Sequence, residues 1–121
     1  MTDTGAALLE EAALDKVRAI GGNVLLARLI DSFLEHAPPR VAAARAGQQA
    51  GEMDAVARAT HSLKSTAGNL GARRLQFLAE RVEALATAHD GAGVSEMLDQ
   101  VESVFEATRI ALARRREELA P

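Results

Sequence analysis

Thr60-His61-Ser62-Leu63-Lys64-Ser65-Thr66-Ala67-Gly68-Asn69-Leu70-Gly71 is the stretch on which the reading of this chain turns. Together with Val56, it sets Thr60, Leu63, Ala67 and Leu70 at spacings of four and three, the pattern of a buried helix seam. His61, Lys64, Ser65 and Gly68 repeat that spacing in a sector centred about 130° from the seam. That sector is expected to face solvent. Gly71 ends the helix, because glycine readily takes the left-handed conformation that follows a last turn. An imidazole therefore stands exposed, with an ammonium one turn along and two very small residues beside it.

This pattern suits one chemistry. A neutral imidazole nitrogen is a good nucleophile near neutral pH. Lys64, three residues on, can lean over a phosphoryl group and offset its charge. Ser65 and Gly68 leave clearance for another protein's active site. Spacing alone leaves a second reading open, that His61 is an ordinary surface histidine. Glu83 is a further candidate. It lies twelve residues after Gly71, and His61 lies ten before it, so an antiparallel hairpin brings the two level. One reading makes Glu83 a surface carboxylate, paired with Arg81 or with nothing. The other makes it the acceptor for Nδ1 of His61, which leaves Nε2 outward and unprotonated.

The segment resembles the signature of histidine-containing phosphotransfer (HPt) domains, in which a histidine is followed by a lysine, a small residue and a later glycine. Here these are His61, Lys64, Ser65 and Gly71. Ser65 departs from the usual glycine but is still small. The resemblance runs along the whole chain, from a short leading helix through Ala19-Ile20-Gly21-Gly22-Asn23 to a long last helix. It implies a four-helix bundle whose histidine relays phosphoryl groups. The implied partners are the receiver domains of response regulators and a sensor or hybrid histidine kinase.

A chain of 121 residues fits one domain with one core, here residues 1–121. Hydrophobic residues make up 48% and charged ones 26%, and Phe33, Phe77 and Phe105 are the only aromatics. So alanine-rich an apolar share favours close-packed helices over a sheet. The net charge of −3 argues against nucleic acid held by bulk electrostatics. The absence of cysteine removes disulfides and thiolate metal sites, and agrees with a cytoplasmic location. No apolar run approaches the roughly 18 residues of a membrane span, and no signal-peptide pattern opens the chain. No phosphate-binding glycine loop or kinase signature is present. The chain is therefore expected to be a carrier without an ATP site or cofactor of its own, any magnesium belonging to the receiver. His36, His61 and His89 lack the spacing of a helical zinc pair, so no metal is expected.

Read in order, residues 1–9 are expected to be loosely held. A short helix over about 10–20 stops at Gly21-Gly22. A second runs to about His36, and Pro38-Pro39 breaks it. A third, alanine-rich, covers about 39–50. The motif helix spans about 52–69 and its successor about 72–88. His89 to Gly93 forms a loop, and a last helix starts near Val94. The short connections make consecutive long helices antiparallel. The expected fold is all-α, an up-down antiparallel four-helix bundle with one or two short extra helices at the N-terminal end. Residues 113–121 are expected to project past the bundle. Arg114 to Arg116 read as a solvated helix end rather than a docking patch, and Phe77 as packing under the first helix.

These features point to a phosphorelay intermediate, monomeric, that accepts a phosphoryl group on His61 and passes it to a receiver aspartate. The alternative is a helical docking or inhibitory module without phosphoryl transfer. A third class, the dimerisation helices of a sensor kinase, is disfavoured because no ATP-binding domain accompanies them.

Overall fold

The computed structural model describes residues 7–119, so the first six of the nine residues expected to be loose lie outside it, as do Ala120 and Pro121. Four helices follow one another: α1 (Glu11–Gln49), α2 (Met53–Asn69), α3 (Arg73–Thr87) and α4 (Gly91–Leu119). No strand occurs among the described residues. Each helix packs on its sequence neighbours, and α4 closes the ring against α1.

The four-and-three apolar spacing of each helix becomes its buried face. Val56, Thr60, Leu63 and Ala67 of α2 are buried, as are Leu75, Leu78 and Val82 of α3. Val94, Leu98, Val101, Phe105 and Leu112 do the same for α4. Phe33 and Phe105 meet across the core with ring centroids 6.0 Å apart. Two threonines are buried with them, and each hydroxyl is satisfied within its own helix: Thr60 donates to the Val56 carbonyl and Thr108 to that of Val104. Buried hydroxyls thereby avoid the cost of an unmade bond.

Pro38 and Pro39 do not break α1. Each removes an N–H, and an interior proline costs about 3 kcal/mol. Leu26, Ile30, Phe33, Ala37, Val41 and Ala44 nevertheless form one uninterrupted buried stripe past them. Burying each large member contributes roughly 1.5–3 kcal/mol. Pro39 itself is exposed, on the side where lost hydrogen bonds face water. The break comes at Gly22 instead, with φ 70° and ψ −168°.

That break reverses the chain. Glu11 and Asp31 bind the neighbouring Arg115 and Arg116 of α4, at 2.7 Å and 2.8 Å. In a straight helix they would lie about 30 Å apart. Residues 11–21 are therefore one short extra helix, set off from the main part of α1 by this turn, with Ala13, Leu14 and Val17 buried.

The same ion pairs correct the expectation for residues 113–121. As far as Leu119 the end of α4 is tied to both parts of α1 rather than projecting, and Arg115 and Arg116 have carboxylate partners. The expected loop also shortens, because Gly91 to Gly93 form the first turn of α4. The Asp90 carboxylate accepts the Gly93 N–H at 3.0 Å, an N-cap bond that the loop reading overlooked. At the opposite end of the sequence, Ala7 accepts the Arg74 N–H at 3.1 Å.

Candidate functional site

Packing of α2 on α3 brings His61 level with Glu83. Nδ1 of His61 lies 2.8 Å from one Glu83 carboxylate oxygen, and Nζ of Lys64 donates to the other at 2.9 Å. The seam residues Leu63 and Val82, next to these side chains in sequence, are fully buried and hold the two helices in register. One carboxylate thus clasps both motif side chains, each through its own oxygen. The His61 side chain is 61% exposed, against 25% for Glu83 and 26% for Lys64. Lys64 is therefore partly shielded and already paired, not free on an open face.

The electrostatics follow from this clasp. Partial burial raises the Glu83 pKa, but the bonds from Lys64 and His61 prevail and leave it below 4.5. The bond to Glu83 raises that of Lys64 above 10.5. An ionised carboxylate can only accept, so the bonded Nδ1 carries the ring proton. In the neutral ring, Nε2 then keeps its lone pair and faces away from Glu83.

Ser65 is exposed one turn past His61, and its hydroxyl donates to the His61 carbonyl at 3.3 Å. Gly68 differs from its expected role of partner clearance, because α3 covers it. A Cβ there would lie 2.9 Å from the Gln76 side-chain amide, which in turn accepts from Arg73. Its small size lets Gln76 lie across α2. Phe77 is not packed under the first helix. It is 38% exposed, with the Arg81 guanidinium 5.8 Å from its ring centre. Arg81 is thus engaged by Phe77, and Glu83 is left to His61 and Lys64.

Gly71 has a second reason to be glycine besides its φ of 68°. The folded-back N-terminal segment packs directly on it: an added Cβ would sit 2.7 Å from Ala13 Cβ and 2.8 Å from the Glu10 carbonyl oxygen. Its own carbonyl accepts the Glu10 N–H at 2.8 Å, and Arg73 pairs with the Glu10 carboxylate. Gly71→Ala is expected to destabilise the protein by about 2–4 kcal/mol, combining left-handed strain with displacement of backbone. Chemical denaturation checks this. A loss under 1 kcal/mol would mean the N-terminal segment yields without cost.

His36 bonds the Ser32 carbonyl through Nδ1 at 2.9 Å, and His89 sits in a turn with φ 57°. Among the described residues no three metal-ligating side chains are grouped so as to hold an ion. None of the helices is long and apolar enough to cross a membrane.

His61 is thus tied to a carboxylate through one nitrogen and open to solvent on a wall of helices rather than in a closed pocket. The Hpt domain family matches residues 28–113, and the chain belongs to that family. Histidine-containing phosphotransfer protein B from Pseudomonas aeruginosa PAO1, known from its crystal structure, has a similar fold. Its TM-score is 0.88 at 24% identity, over 93% of this chain and 97% of that one. No curated protein matches the chain.

Proposed function

We propose that His61 is the residue on which this Hpt domain carries its phosphoryl group, taken from a receiver domain or kinase and passed to a response-regulator aspartate. The observation that carries this reading is the 2.8 Å contact of His61 Nδ1 with Glu83, on a side chain otherwise open to solvent. The Nε2 lone pair attacks phosphorus in line. The Nε2–P bond forms as the bond from phosphorus to the aspartyl oxygen breaks, and the aspartate leaves with the electron pair. The Nδ1 proton stays in place, and Glu83 balances the positive charge that develops on the ring. Lys64 turns from Glu83 towards the phosphoryl oxygens, where its charge offsets theirs. Magnesium and any acid or base chemistry come with the receiver. Incubating the protein with a phosphorylated receiver domain and mapping acid-labile label to His61 by mass spectrometry tests the assignment. Label elsewhere, or none, would end it.

Glu83→Gln keeps the shape of the clasp but removes its charge. Transfer is expected to slow about tenfold from protein and small-molecule donors alike, since both need the same oriented ring. Stability should respond to pH in a definite sense. A carboxyl with a lowered folded-state pKa stabilises the fold above its ordinary value, and that contribution is lost as pH falls through the lowered one. The melting-temperature gap between wild type and Glu83→Gln should therefore be widest near neutrality. It should close as pH drops below 4.5. A gap that did not narrow as the pH fell below 4.5 would assign the effect to packing.

A further inference from the structure

A single residue interrupts an otherwise continuous helix from Glu11 to Gln49. Gly22 takes φ 70° and ψ −168°, a region open in practice to glycine alone. No atom stands within 4 Å of where its Cβ would be, so the need for glycine there is conformational. Gly21 is needed for space, because a Cβ on it would lie 2.6 Å from Leu25 Cβ. Beside this turn stand the two most exposed large apolar side chains of the described residues, Ile20 at 81% and Val24 at 66%. The sequence places them in a series. Ala13, Val17, Ile20, Val24 and Ala27 recur at spacings of four and three, which on one unbroken helix make a single seam. The turn divides that seam: Ala13 and Val17 are buried in the bundle, and Ile20 and Val24 are left in solvent.

We propose that the helix of residues 11–21 exchanges between two copies of this chain, with Gly22 as the hinge. With helical dihedrals at Gly22, residues 11–49 form one helix roughly 58 Å long. Glu11 and Asp31 are then too far apart to reach Arg115 and Arg116 of one α4. Glu10 and Ala13 likewise leave Gly71 of their own chain. The surface that they uncover is identical on a second copy, and this selects a second copy as the occupant. Each chain's N-terminal helix takes that place on the other, and the contacts of the closed chain are re-formed between chains. Ile20 and Val24 flank the crossover, where the two straightened helices bury them against each other. That gain is absent from the closed chain, and it offsets the cost of two glycines in a helix interior. The exchange takes place at the end of the bundle that holds Gly71. His61, Lys64 and Glu83 lie wholly on α2 and α3, so the dimer carries two intact clasps. The proposal does not depend on the chemistry at His61.

Size-exclusion chromatography with light scattering on the full chain tests this. Gly22→Ala and Gly21→Ala each disfavour the turn and favour the straight helix, alanine being the best helix former. Each is expected to be a folded dimer at micromolar concentration, where the wild type is a monomer. Cross-linking tells exchange from surface contact. Glu11→Cys and Arg115→Cys are introduced together into a chain that has no cysteine of its own. A short bis-maleimide should then join the two positions within one chain of the wild type, and between chains of the Gly22→Ala variant. Ile20→Glu, added to Gly22→Ala, should weaken dimerisation about tenfold by placing a charge in the new seam. Monomeric Gly22→Ala and Gly21→Ala chains, folded or unfolded, would overturn the proposal, since the open form demands only helix at these positions. A dimer cross-linked only within its chains would overturn it too, as would one whose dissociation constant Ile20→Glu leaves unmoved.

Discussion

His61→Gln is expected to carry no acid-labile label from a phosphorylated receiver domain or from phosphoramidate, whereas the wild type is labelled by both. Glutamine is close to histidine in reach and is a good helix former, but its amide nitrogen has no available lone pair for attack on phosphorus. The side chain is mostly exposed, so the bundle has little to lose, and far-ultraviolet circular dichroism should match the wild type. The other histidines do not substitute. His36 has its Nδ1 on a backbone carbonyl of its own helix, and neither it nor His89 has an ion-pair partner among the described residues. The comparison also has a built-in control, because phosphoramidate needs no docking surface. Label that persists on the folded variant with either donor would move the reaction to another residue.

The seam and the geometry of the candidate site were legible for the same reason: both are local patterns on one helix or one hairpin. Val56, Thr60, Leu63, Ala67 and Leu70 lie on one stripe, and every one of them is buried. The pairing of Glu83 with His61 needed only similar distances from the turn at Gly71, twelve residues and ten. What escaped depends on contacts distant in sequence. The prolines read as a break because their local cost is visible, while the continuous stripe from Leu26 to Ala44 that overrides it takes its worth from α2 and α4. The reversal at Gly22 was marked by two glycines. That it folds a helix back onto Gly71 emerges only when Glu10, Ala13 and Gly71 are brought together. Gly68 was misjudged because α3's Gln76 fills the space that the helical wheel leaves empty.

Ser65→Gln should separate access to the histidine from its chemistry. Position 65 lies one turn beyond His61 on the exposed face, and the structure leaves it uncovered, unlike Gly68. A receiver's aspartyl phosphate lies in a recess, and in-line transfer requires reacting atoms about 3–3.5 Å apart. A serine hydroxyl folded back on the His61 carbonyl adds almost nothing to the height of the helix there. Glutamine stands several bonds taller and meets the receiver's loops before the imidazole arrives. A misplacement of about 1 Å can cost a hundredfold in rate. Transfer from the receiver is therefore expected to fall about a hundredfold, with phosphoramidate labelling within about threefold of wild type. The fold should not suffer, because glutamine favours helix more than serine does. Ser65→Gly, smaller still, should transfer at close to the wild-type rate, with stability reduced by up to about 1 kcal/mol through helix propensity. Measuring both donors on each variant decides the matter. Equal slowing with both would mean that the substitution disturbs the imidazole itself, through the His61 carbonyl bond or the Glu83 clasp, and that clearance is not why a small residue stands at 65.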